Sequence, residues 1–127
     1  MKVFDASAVL AMLLEEPGAN AAAKLMEQGD AVICSVNYAE VVGKLLERGV
    51  TEADVQTAWH NLPVEIVAFD AEAALGAARL RPATRRLGLS LGDRCCLAYA
   101  ATCAAATIVT ADRAWKKLRG FDIAVVR

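Results

Sequence analysis

The sequence predicts an α/β domain: a mostly parallel sheet of four to five strands with helices on both faces. Three observations carry that prediction. Short apolar runs recur along the 127 residues at Lys2–Asp5, Ala31–Cys34, Glu65–Phe69, Thr107–Thr110 and Ile123–Val126. Segments of helical apolar spacing lie between them, and strands alternating with helices indicate a parallel sheet covered on both sides. The hydrophobic share is 57%, much of it alanine, which suits helices packed closely on a sheet. With no repeat, low-complexity run or linker, residues 1–127 read as a single domain.

Taken in order, Lys2–Asp5 is the first strand. Ser7 is placed as the N-cap of a helix over Ala8–Glu15, which Pro17-Gly18 ends. Asn20–Gln28 reads as a second helix, stopped by Gly29. After the strand Ala31–Cys34, Ser35 caps a helix that runs to Arg48. Its wheel puts Tyr38, Val41, Val42, Leu45 and Leu46 on the core face and Asn37, Glu40, Lys44 and Glu47 opposite. Thr51 to Asp54 resembles a capping box and opens a helix to about Asn61, broken by Pro63. Glu65–Phe69 is the third strand, and Asp70 caps a helix to about Arg81. Residues 82–89 read as a basic connection. Ser90 opens a helix to about Ala105, apolar nearly all round beyond Arg94 and therefore buried. Thr107–Thr110, a short basic helix over Arg113–Leu118 and the strand Ile123–Val126 complete the chain.

Composition narrows the chemistry. Cys34, Cys95, Cys96 and Cys103 form no Cys-x-x-Cys pair and lie in apolar surroundings, as buried reduced thiols do. His60 is the single histidine, so a multi-histidine zinc site is excluded and a metal must be held by oxygen. No apolar run approaches the roughly 20 residues that span a bilayer, and the N-terminus has no signal-peptide pattern, so a soluble cytoplasmic protein is expected. The net charge of −1 conceals a split: residues 1–70 carry 11 acids and 4 bases, residues 71–127 carry 4 acids and 10 bases. Such a division suits contact with a polyanion, or an ordinary mixed surface once the halves intermingle.

Four acids fall on one rim of such a sheet. Asp5 ends the first strand, and Asp112 follows the fourth by two residues. Glu40 lies early in the helix after the second strand, and Asp93 starts the helix that feeds the fourth. In a parallel sheet these positions all lie at the C-terminal edge, where ligands bind. Each acid also has a plain structural reading. Asp5 suits a turn, Glu40 an i,i+4 pair with Lys44, and Asp93 and Asp112 suit helix caps. Gathered together, however, four carboxylates repel unless a cation sits among them. An all-oxygen donor set selects Mg²⁺, with Mn²⁺ as a substitute. Such ions bind phosphates and activate water, and Arg85, Arg86, Arg94, Arg113, Lys116 and Lys117 are candidate backbone contacts, so a nucleic-acid phosphodiester is the expected substrate.

Val3-Phe4-Asp5-Ala6-Ser7, Ser35-Val36-Asn37-Tyr38-Ala39-Glu40, Leu89-Ser90-Leu91-Gly92-Asp93-Arg94 and Thr110-Ala111-Asp112 together resemble the PIN-domain ribonucleases, and among them the VapC-type toxins of toxin–antitoxin pairs. The resemblance spans essentially the whole chain and implies a PIN-like three-layer sandwich and a metal-dependent endoribonuclease. It implies that Asp5 and Asp93 are the principal Mg²⁺ ligands, and that Glu40 and Asp112 complete the acidic set directly or through water. Ser7 and Thr110 would be supporting hydroxyls. It further implies a homodimer and a cognate antitoxin whose C-terminal segment enters the active-site groove. A non-catalytic PIN-like module that binds RNA or protein is the alternative. A receiver domain phosphorylated on Asp70 and an Asp-x-Asp phosphatase fit less well: the first lacks its second acid and lysine, and Ser7 holds the second acidic position of the other.

Overall fold

A computed structural model describes all residues, Met1–Arg127. Five strands, β1 (Lys2–Phe4), β2 (Ala31–Cys34), β3 (Glu65–Val67), β4 (Thr107–Thr110) and β5 (Asp122–Val125), form one sheet in the order β3-β2-β1-β4-β5. Every pairing is parallel. The chain builds outward from β1 through β2 to β3, then crosses back to lay β4 and β5 on the other side. The reversal of direction lies between β1 and β4, and a crevice at such a switch point is the usual ligand site of an open α/β sheet.

Because side chains alternate along a strand, the short strands feed two cores at once. Phe4, Ile33 and Val109 point into one, where they meet Val9, Met26, Val41, Leu45 and Trp59. Val3, Val32 and Ile108 point into the other, against Cys96, Leu97, Ala100 and Trp115. The first layer includes helices α1 (Ala6–Leu13), α2 (Ala19–Glu27), α3 (Ser35–Glu47) and α4 (Glu52–His60). Across the sheet lie α5 (Ala71–Arg79), the short α6 (Arg81–Thr84) and α7 (Leu91–Ala101). Helices thus cover both faces, and the three-layer α/β architecture expected from the sequence is the one found. None of them is long and apolar enough to cross a membrane.

Several local expectations are corrected. Asp5, not Ser7, caps α1: its Oδ1 accepts the Ala8 amide at 3.0 Å, while the Ser7 hydroxyl turns back to the Asp5 carboxylate. Ser35 is the first residue of α3 rather than its cap, and its Oγ accepts the Phe69 amide, tying α3 to the chain after β3. The wheel of α3 is rotated: Leu46 is 44% exposed and Asn37 only 1%. The α3 wheel misleads because the N-terminus of α7 covers the supposed solvent side of Asn37. The basic connection over residues 82–89 is coiled into short helical turns. Pro82 sits in the first turn of α6, where a missing N–H costs nothing, and a 3₁₀ turn follows over Arg85–Leu87. Helix α7 stops at Ala101, four residues before the expected end, and Ala105 adopts φ +53°.

Leu97 is fully buried on α7. We expect Leu97→Ala to cost about 2–5 kcal/mol, read as a lowered urea midpoint with an unchanged slope.

Candidate active site

Asp5 follows directly on β1, and its backbone N–H donates to the Val109 carbonyl of β4 at 3.0 Å, which places it at the switch point. The residue is 2% exposed. Both carboxylate oxygens are engaged. Oδ1 accepts from the Ala8 amide and the Ser7 hydroxyl (2.8 Å), and Oδ2 accepts from Thr110 Oγ1 (2.8 Å) and also from Ser7 (3.0 Å). Thr110 reaches Asp5 because it ends β4, beside the end of β1. Its Oγ1 in turn accepts the Asp112 amide at 3.0 Å, and Ser7 Oγ accepts the Ala111 amide at 2.9 Å. Asp5, Ser7, Thr110 and the Asp112 backbone therefore form one network across two strands.

Burial pushes the Asp5 carboxyl up to about 7, against the downward pull of its bonds from Ala8, Ser7 and Thr110. The negative charge of Asp93 adds to the rise, so these two carboxylates feel one another across the rim. Asp93 is the third residue of α7 and completes a reciprocal capping box: its Oδ2 accepts the Ser90 amide at 2.9 Å, and Ser90 Oγ accepts the Asp93 amide. Glu40 arrives from α3. Its Oε2 accepts Asn37 Nδ2 at 2.8 Å, and its carboxylate lies against the Cα of Gly92, the residue before Asp93. Asp112 caps the 3₁₀ turn Arg113–Lys117 through the Ala114 amide. The capping roles considered for Asp93 and Asp112 are thus real. They occupy one oxygen of each carboxylate, as Asn37 occupies one of Glu40, and leave the second without a protein donor.

A divalent cation is the group this chemistry suits. The donors are all hard oxygens, and Asp5 is a desolvated carboxylate that a neighbouring positive charge would hold ionised. No three acidic, histidine or cysteine side chains close into a ready-made cage. All four cysteines are free, and burial holds the thiols of Cys34, Cys95 and Cys96 above the ordinary range, so they stay protonated.

Basic residues flank the acids on two sides. Beside Ser7 and Asp112 opens a groove of about 570 Å³ that Lys44, Arg113 and Arg127 line together with Glu16. Arg113 Nε donates to the Arg127 carbonyl at 3.4 Å. On the other side Arg81, Arg85 and Arg94 share a smaller cleft with Leu91. Arg86, Lys116 and Lys117 are exposed. Arg94 departs from the expectation of a backbone contact: it is 7% exposed, and its Nη1 donates to the Ala77 carbonyl, binding α7 to α5. The sequence gives no site role to Asn37, Gly92, Lys44 or Arg127, the first three of which enter it only as a polar face, part of a motif and an i,i+4 partner. The i,i+3 spacing of Asn37 and Glu40 was a signal, but a solvated polar face has the same spacing.

A family model described as the PIN domain matches residues 2–120. Curated protein sequences yield no match. Among solved structures, the chain is similar to a DNA-bound VapBC from Salmonella typhimurium, with a TM-score of 0.74 and 15% identity over 99% of this chain and 98% of that one. A toxin–antitoxin complex from Klebsiella pneumoniae gives 0.72 and 15%, covering 100% and 98%. FitAcB from Neisseria gonorrhoeae gives 0.62 and 15%, covering 99% and 98%. At such identities the likeness is one of fold.

The Asp5 shift carries a testable sign. Between about 4 and 7 the folded protein keeps a proton on Asp5 that the unfolded chain, at 3.8, has lost. Stability therefore falls as pH rises through that window, by roughly 4 kcal/mol at most. We expect Asp5→Asn, which can still cap α1, to unfold at higher urea than the wild type at pH 8, with the gap narrowing toward pH 5.

Proposed function

This chain belongs to the PIN domain family, and we propose that it is a Mg²⁺-dependent endoribonuclease that hydrolyses RNA phosphodiester bonds as the toxin of a toxin–antitoxin pair. What supports the reading is the buried Asp5 at the switch point of the sheet, which feels the charge of Asp93, with Glu40 seated against Gly92 and the Asp112 amide bonded to Thr110. Asp5 and Asp93 would hold the cation, Glu40 and Asp112 directly or through water, and Mn²⁺ would substitute. The bound ion would supply a Lewis acid for the phosphoryl oxygens and lower the pKa of a water.

The side chains divide the remaining work. Ser7 and Thr110 fix both oxygens of Asp5, so the carboxylate keeps one orientation as it changes charge. Glu40, held at one oxygen by Asn37, keeps the other free to orient the attacking water and take its proton. Lys44, Arg113 and Arg127 would carry the phosphates of an RNA strand leaving past Asp112, and Arg85, Arg86, Lys116 and Lys117 would extend that contact. Support for a toxin comes from the fold neighbours, which include a VapBC and a toxin–antitoxin complex. A cognate antitoxin, a homodimer and action in the cytoplasm belong to the same proposal. The lack of a closed cage of three ligands favours one competitor, a PIN-like module that binds RNA or protein without cutting it.

Purified protein free of any antitoxin, incubated with total RNA, decides between them. Discrete fragments in Mg²⁺ or Mn²⁺, lost in EDTA and reduced at least about 10²-fold in Asp93→Asn, are expected. Full-length RNA from well-folded protein in both metals would leave only the binding module. In the Asp93→Asn background, Arg113→Ala should weaken RNA binding and flatten its dependence on log salt by about one unit.

A further inference from the structure

We infer that Asn37 and Gly92 are positioning residues that together fix the carboxylate of Glu40. The inference rests on the hydrolytic reading of Glu40 and adds what holds that residue in place. Asn37 is a buried polar side chain, and all its bonds point one way. Its Nδ2 donates to Glu40 Oε2 at 2.8 Å and to the Gly92 carbonyl at 3.0 Å, and its Oδ1 accepts from Cys34 Sγ at 2.8 Å. This pattern settles the orientation of the amide, because a flipped Asn37 would turn its oxygen on two acceptors. The Cys34 thiol, kept protonated by burial, supplies the matching donor. One amide thus bridges α3 to the first turn of α7, across 55 residues of sequence.

Gly92 supplies the second half. It lies in regular helix with no positive φ, so the backbone does not call for glycine. Space does: a Cβ there would fall on the Glu40 carboxylate, well inside van der Waals contact. The missing side chain is the seat of that carboxylate, and the seat adjoins Asp93 in the chain. The obstructed group is the far end of a flexible side chain, so Gly92→Ala can be accommodated by Glu40 swinging away from Asn37 while the fold stays intact.

Two readouts test this. In RNA cleavage, Gly92→Ala and Asn37→Ala should each lose about 10²-fold, in kcat rather than KM, with the unfolding midpoint of Gly92→Ala close to the wild type. In ¹H–¹⁵N spectra, the Asn37 side-chain amide pair, identified by its absence in Asn37→Ala, should shift in Gly92→Ala and Glu40→Ala alike. It should not shift further in the Glu40→Ala/Gly92→Ala double variant. Wild-type cleavage by Gly92→Ala, an amide pair indifferent to Glu40→Ala, or a Gly92→Ala effect that persists without Glu40 would overturn the inference. If the wild type itself fails to cut RNA in Mg²⁺, the hydrolytic reading fails alone, and the amide resonances still decide the clamp.

Discussion

A carboxylate buried at the end of the central strand constrains everything around it. Moving an ion from water into an apolar interior is costly, and Asp5 is surrounded on every side. The protein offsets that cost with four hydrogen-bonding contacts, from the Ala8 amide, Thr110 and Ser7, the last spanning both oxygens. These partners dictate local structure. Ala8 must lie in the first turn of a helix that starts immediately after β1, and Thr110 must end a strand paired beside it. Even so, burial outweighs them and the carboxyl rises to about 7. A site left in that condition is primed for a positive charge, which would relieve the unfavourable ionised form.

The other acids meet the same difficulty by a cheaper route, since they sit nearer solvent. Asp93 and Asp112 each give one oxygen to an amide at the start of a helical turn, and Glu40 gives one to Asn37. Helix starts carry partial positive charge, which tempers repulsion among carboxylates gathered on one rim. Capping therefore does not use these carboxylates up: one oxygen of each fixes the side chain, and the other has no protein donor.

What the two halves of the chain contribute differs in kind. The acidic half supplies Asp5 and Glu40 from β1 and α3, while the basic half supplies Asp93, Asp112 and most of the cations. Parallel pairing of β1 with β4 brings them into register, so the charge split along the sequence becomes a short-range pattern of acids flanked by bases. Arg94 is the exception. Its guanidinium faces inward and binds α7 to α5, because the helix that carries it is enclosed on nearly all sides.

The alternation of short apolar runs with helical segments determined the α/β class and the parallel sheet covered on both faces, since strand and helix periods are local properties of the chain. Local signals also marked Asp70, Thr51 and Ser90 as caps. They failed at Ser7 and Ser35, whose hydroxyls have partners from other segments, at Asn37, which the start of α7 covers, and at Leu46, which faces solvent. Only the tertiary structure decided that Asp5 would be desolvated, that Arg94 would turn inward, and that Gly92 would seat Glu40. Each of these follows from contacts between residues tens of positions apart, and no periodicity within a single segment encodes what another segment will place against it.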